Sequence, residues 1–247
     1  MEKSDVINER LCLVQDTSGL RFGTDAFLLS CYVHGGKRKI ACDLGCGTGV
    51  ISLLLAARGT FAHVTAVELQ EKYADMARGN AEANGLRDKI DVVCADVRDR
   101  LGAEFEGKYD AVVTNPPYYP ADSGLHSAAE ENDLARREIC GGIDAFLACA
   151  DRCLKHGGLF FCVYPPDRIA DLICAMRQNH IEPKRITTVF PSAGKRPCLL
   201  LAEGKKGGAA GCYFTPPLIL TDANGAESAE YRYIYEKGSF PDAFRRP

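Results

Sequence analysis

A chain of 247 residues, 46% apolar and 26% charged, has enough hydrophobic material for one large α/β domain, and its net charge of −3 lacks the overall basic surplus of most nucleic-acid binders. No apolar run reaches the roughly 18 residues of a membrane span, and Met1-Glu2-Lys3-Ser4-Asp5 lacks the apolar stretch of a secretion signal. The 12 cysteines form no CxxC pair and no Cys-His cluster, so no metal site is expected and Cys42, Cys94 and Cys162 read as small buried hydrophobes in a reducing cytoplasm.

In chain order, Leu11 to Gln15 reads as a strand and Asp16-Thr17-Ser18-Gly19 as a turn. Thr24 is an N-cap candidate for a helix over Asp25 to Tyr32. Alternating strands and helices follow. Strands are expected at 39–43, 62–68, 90–95, 109–114, 158–164 and 185–190. Helices are expected at 49–58, 71–85, 141–155 and 167–179, with a weaker segment near 132–138. Lys155-His156-Gly157-Gly158 reads as a helix end. A seventh strand, Cys198 to Ala202, follows the sixth after only a loop. That short link fits antiparallel pairing, because a parallel crossover needs about a dozen residues or more. The expected fold is therefore α/β, a doubly wound, seven-stranded, mostly parallel sheet with one antiparallel edge strand. Residues 1–38 are expected to form an N-terminal extension over the site, 39–203 the main domain, and 204–247 a loop and tail of the same domain.

Two motifs sit at strand ends. Lys39 to Leu44 is a short strand, Gly45-Cys46-Gly47-Thr48-Gly49 a glycine loop, and Val50 to Arg58 a helix. Strand, glycine loop and helix hold nucleotide-like ligands at the carboxyl end of a first strand. The spacing departs from G-x-G-x-x-G, with Val50 where a third glycine would stand, and no lysine follows to make a phosphate loop. Glu68 ends the second strand, placed to accept bonds from two ribose hydroxyls, and Asp96 follows the third, placed to accept from an adenine amine. Downstream, Asn115-Pro116-Pro117-Tyr118 follows the apolar strand 109–114. An amide oxygen and the Pro116 carbonyl can both accept from one planar NH2, and the Tyr118 ring can stack on it. The prolines stiffen the corner before a substrate arrives.

On these residues the stretch from about Phe22 to Leu201 resembles class I S-adenosylmethionine-dependent methyltransferases. Asp43 to Gly49 looks like their cofactor loop, Glu68 like their ribose acid, and Asn115 to Tyr118 like the signature of the branch that methylates planar amino nitrogens. Arg21 to Leu29, Ala135 to Glu138, Glu182 to Ile186 and Pro216-Pro217-Leu218 resemble bacterial tRNA adenine-N6 methyltransferases acting on adenine-37 of valine tRNA. Arg137 stands where that family leads one to expect histidine.

The resemblance implies S-adenosyl-L-methionine as cofactor and a tRNA anticodon loop as partner. Asn115, Pro116 and Tyr118 are the expected catalytic corner. Phe22, Thr24, Asp43, Gly45, Gly47, Glu68, Asp96 and Asn115 are the expected cofactor contacts, with Phe22 and Thr24 closing over the methionine end. Asp43 either braces the loop or meets the amino-acid portion. Lys184-Arg185, Lys195-Arg196 and Lys205-Lys206 are candidate RNA contacts, His126 a substrate-loop candidate, and Cys46 either a reactive loop thiol or a tolerated small residue. Guanine-N2 RNA and protein-glutamine methyltransferases remain alternatives, as does a non-catalytic RNA-binding module.

Overall fold

The computed structural model describes residues 2–6, 11–16, 23–117 and 142–245. After an N-terminal hairpin, β1 (Glu2–Val6) with β2 (Cys12–Asp16), come α1 (Thr24–Tyr32), β3 (Gly36–Leu44), α2 (Val50–Ala57), β4 (Phe61–Glu68), α3 (Glu71–Ala83) and β5 (Ile90–Cys94). The chain continues with β6 (Tyr109–Thr114), α4 (Ile143–Cys153), β7 (Leu154–Tyr164), α5 (Ile169–Gln178), β8 (Ile181–Ser192) and β9 (Leu199–Lys206). Short β10 (Tyr213–Phe214), β11 (Leu218–Thr221) and α6 (Ala229–Lys237) complete it.

The main sheet runs β10-β8-β9-β7-β6-β3-β4-β5, with β11 also on β8, nine strands among the described residues. β3, β4, β5, β6 and β7 pair in parallel, and β9 is antiparallel to both neighbours. The expected antiparallel strand is thus present, between β7 and β8, with β10 and β11 outside β8. The loop from β8 forces it back along β8, while the outer side of β8 takes up β10 and β11 from the tail.

The sheet is covered on both faces, so its strands are apolar on both sides. Along β7 the side chains alternate: Phe161 and Val163 join the core that holds α1, α2 and the tail, and Phe160, Cys162 and Tyr164 join the core under α4 and α5. The chain fills β3, β4, β5 in one direction, then returns to β6 and β7 on the other side of β3. The order therefore reverses between β3 and β6. Ligands of open α/β sheets bind outside the carboxyl ends of the strands at such a reversal.

Four local expectations are corrected. The N-cap of α1 is Gly23, and Thr24 is already helical. Residues 154–158 belong to β7, where Gly157 adopts φ +78 and takes the place of a helix end. Cys94 is exposed, because β5 is the sheet's outermost strand on that side. Lys184 and Arg185 are buried at 6% and 3% exposure and unavailable to RNA. Lys184 Nζ donates to the Ala209 carbonyl, and Arg185 Nη2 pairs with Glu203 Oε2 at 2.7 Å.

Candidate active site

Register places the site. Leu44, the last residue of β3, lies opposite Val67 on one side and Thr114 on the other, and Glu68 lies opposite Cys94. The residues that leave these strands are therefore Asp96, Glu68, Gly45 and Asn115, in that order along the sheet's upper rim. Thr114 Oγ1 donates to the Leu44 carbonyl at 2.8 Å and locks the two strands where they part. Adjacent strands are about 4.8 Å apart, so this row spans roughly 14 Å, a length suited to an extended nucleoside ligand.

The glycine loop needs its glycines. Gly45, Gly47 and Gly49 have φ of +71, +55 and +84, a left-handed region costly for other residues. A Cβ on Gly45 would also lie 3.0 Å from the Phe146 ring, and one on Gly49 3.0 Å from the Ala77 Cβ. Glu68 is 6% exposed and ties the loop down. Gly47 N donates to its Oε2 and Gln70 N to its Oε1, both at 2.9 Å. Each carboxylate oxygen keeps further acceptor capacity. A narrow, solvent-open cleft lies between Gly45, Glu68, Leu69, Asp96, Val97 and Phe146.

Asp43 sits fully buried at 0% exposure below the loop. Ser52 Oγ donates to its Oδ2 at 2.7 Å, while Oδ1 is buried with no hydrogen-bond partner among the described residues. Burial, with a smaller push from the charge of Glu68, raises its pKa to about 7. Cys46 in the same loop is 6% exposed, and burial holds its thiol well above the usual range, against a reactive thiolate.

At the far end of the row, Arg98 holds Asp96. Arg98 N and Nε donate to Oδ1 at 2.8 and 3.0 Å, and Nη2 closes on Oδ2. The Arg98 side chain lowers the pKa of Asp96. An adenine amine bonding to Asp96 has to share it with Arg98, which sequence reasoning did not foresee.

At the other end of the row, Pro116 is buried and Asn115 half-buried. Asn115 Nδ2 donates to Asp25 Oδ2 at 2.9 Å, across 90 positions of sequence. Thr24 is exposed beside it, its hydroxyl bonded to Tyr231 of α6. Phe22, Tyr118, His126, Arg137, the segment 132–138 and the rest of 119–141 lie outside the described residues. Among the described residues, no three His, Cys, Asp or Glu side chains gather as a metal site, and no helix is long and apolar enough to cross a membrane.

These residues fit an S-adenosylmethionine-type donor. A loop that only glycine can form, a buried orphan carboxyl oxygen beneath it and a near-buried glutamate share one rim with an asparagine. The comparisons point the same way. The methyltransferase small domain family matches residues 17–168. A tRNA1(Val) (adenine(37)-N6)-methyltransferase of Porphyromonas gingivalis is 30% identical over 236 residues, 92% of each chain. One of Enterobacter sp. (strain 638) is 34% identical over 63% of this chain and 62% of its own. Among solved structures, a predicted O-methyltransferase from Agrobacterium tumefaciens aligns with a TM-score of 0.70 at 24% identity, over 87% of this chain and 96% of that one. M. jannaschii TYW2 in complex with AdoMet aligns at 0.56 and 14% identity, over 83% and 85%. Identities this low speak for the shared fold alone.

Proposed function

This chain belongs to the methyltransferase small domain family, and from that premise we propose that it methylates the exocyclic N6 of an adenine in tRNA, with adenine-37 of a valine tRNA as the target. The observation that carries this reading is Asn115 beside Gly45 at the reversal point of the sheet, an amide and a donor loop on neighbouring strand ends. The relatives whose names state that target, one of them aligned over 92% of this chain, support the same choice.

S-adenosylmethionine supplies, when bound, a methyl group already activated on a sulfonium. Gly45 and Gly47 would give it close backbone approach, Glu68 would hold the ribose hydroxyls, and Asp96 would hold the adenine amine of the donor. Asp43 braces the loop from below through Ser52. The chain's own task at the other end is to prepare a poor nucleophile, since the N6 lone pair of adenine is delocalised into the ring. The Asn115 Oδ1 and the Pro116 carbonyl each accept one N–H of that amine. Held this way, the hydrogens leave the ring plane and the lone pair turns toward the methyl carbon. The same two acceptors stabilise the positive charge that develops on nitrogen. With the donor bound, methyl transfer to N6 would form the N–C bond as the S–C bond breaks, leaving the pair on sulfur and the surplus N–H proton to pass to water. No general base is needed beforehand.

Alignment of this kind is worth up to roughly 7–11 kcal/mol in ideal cases. Tyr118 stacks on the base in this reading, a contact of about 1–3 kcal/mol. A loop nucleotide is already single-stranded, so extruding it costs at most a few kcal/mol. Asn115→Ala tests the assignment: tRNA methylation turnover falls by roughly 100-fold or more, while the dissociation constant for the donor, measured by calorimetry, changes less than about threefold. Turnover equal to wild type removes Asn115 from the chemistry.

A further inference from the structure

An asparagine that must accept a hydrogen bond has a difficulty of its own. Its side-chain amide ends in an oxygen that accepts and an NH2 that donates, nearly identical in shape. A target amine presents only hydrogens to it. If the amide turns over about its last bond, the acceptor is lost and two donors face each other. The catalytic corner therefore needs something that distinguishes the two ends.

The structure holds such a group. Asn115 Nδ2 donates to Asp25 Oδ2 at 2.9 Å. A carboxylate only accepts, so it pairs with the NH2 end and repels the oxygen end. With Nδ2 turned to Asp25, Oδ1 is committed to the opposite side. Asp25 is itself well held. It sits in the first turn of α1, where the helix dipole favours an acid. A Cβ on Gly23, two residues before, would lie 2.5 Å from Asp25 Oδ1, so the glycine leaves the carboxylate room where it stands.

Helix α1 is anchored along its length. Seven of its nine residues, Ala26 to Tyr32, are buried. Arg58 Nη1 donates to Ser30 Oγ at 3.0 Å, and Arg185 Nη2 donates to the Tyr32 carbonyl at 3.2 Å. The carboxylate thus stands on a fixed element, as preorganised geometry requires.

We propose that Asp25 is a positioning residue that fixes the Asn115 amide with Oδ1 toward the substrate amine. This rests on the catalytic reading of Asn115. Asp25 touches neither substrate nor donor in this role; it acts only through the asparagine.

A double-mutant cycle on the full-length protein tests it, with tRNA and S-adenosylmethionine as substrates, kcat as readout and donor affinity by calorimetry as control. Asp25→Ala lowers kcat by roughly 10- to 100-fold, the scale of losing one charge-assisted hydrogen bond. Donor affinity stays within about threefold of wild type. Asp25→Asn puts an amide there that can turn either end toward Asn115, so it fixes the orientation only in part, and kcat falls below wild type but stays above that of Asp25→Ala. In an Asn115→Ala background, Asp25→Ala costs nothing further, because no amide is left to orient. A full additional loss in that background overturns the role, as does a wild-type kcat in Asp25→Ala while Asn115→Ala is impaired. If Asn115→Ala is itself unimpaired, the catalytic reading fails, and that outcome is told apart from failure of the positioning role. Should Asp25→Ala not fold, Asp25→Leu, close in shape and without any acceptor, takes its place in the cycle alone and combined with Asn115→Ala.

Discussion

Asp43 lies at 0% exposure under the glycine turn with Ser52 as its hydrogen-bond donor, and its protonation follows from that position. Burial raises its pKa from 3.8 to about 7. Between those values the folded protein holds a proton that the unfolded chain has released. Stability rises with pH only where the unfolded state binds more protons, so here the contribution of Asp43 runs the other way. It is fully present below the unfolded value and declines as pH rises toward about 7. Asp43→Asn keeps an acceptor for Ser52 and removes the titration. Thermal midpoints measured from pH 4 to pH 8 are expected to decline less, or rise more, with pH in the variant than in wild type; parallel curves would contradict the assignment. At this scale the sequence was readable where neighbours in the chain carry the meaning. Gly45, Glu68 and Asn115 each stand at the end of an apolar strand, and strand ends can be found by pattern. Asp25 was not readable as a partner of Asn115, because its contact lies 90 positions away and nothing local marks it. The hold of Arg98 on Asp96 was missed although only two positions separate them. Two residues with opposite charges at that spacing are common on any surface.

Asn80 of α3 and Asn84, its C-cap, do at the element scale what a neighbouring strand does elsewhere. Asn80 and Asn84, one turn apart, face Val14 and Cys12 of β2. Val14 N donates to Asn80 Oδ1 at 2.8 Å, and Asn80 Nδ2 donates to the Val14 carbonyl at 3.1 Å. Cys12 N donates to Asn84 Oδ1 at 2.8 Å, and Asn84 Nδ2 returns to the Cys12 carbonyl at 2.7 Å. Side-chain amides thus stand in for the backbone of a missing strand and hold the N-terminal hairpin on the helix. Asn80 Nδ2 reaches the Thr48 carbonyl at 2.9 Å as well, so one side chain links hairpin, helix and glycine loop. Asn80 is 1% exposed. Asn80→Ala leaves several buried backbone groups unpaired and is expected to cost about 2–4 kcal/mol, read as a lower midpoint in urea denaturation. A change below about 0.5 kcal/mol would show that water or relaxation replaces these bonds. The helix itself was legible from the apolar spacing of Tyr73, Ala74, Ala77 and Ala81. What the two asparagines hold was not, because an asparagine within a helix carries no sign of the strand it will pair with.

At the scale of the whole molecule, the alternation of strands and helices was legible because covered parallel strands are continuous apolar runs and the helices between them are amphipathic. The tail was harder to read. β10 and β11 are short, and they exist because β8 offers an open edge, which is a property of the assembled sheet. Arg185 shows the same limit. Sequence pairs it with Lys184 as a basic patch, yet the fold buries it. Its guanidinium stacks on the Tyr32 ring at 3.9 Å, pairs with Glu203 and donates to the Phe244 carbonyl at 2.9 Å. It thereby ties α1, the sheet and the chain's last described turn together and secures the helix that carries Asp25. Lys195 and Arg196 are exposed in the loop from β8 to β9, and Lys205 is exposed on β9, while Lys206 is tied to Asp151 and the Leu154 carbonyl. With a net charge of −3, attraction to any polyanion has to come from local clusters of cations. The most direct measurement incubates the protein with unfractionated tRNA and methyl-labelled S-adenosylmethionine, then digests the RNA to nucleosides. Label in N6-methyladenosine is the predicted result; label in N2-methylguanosine, or in protein instead of RNA, would contradict it.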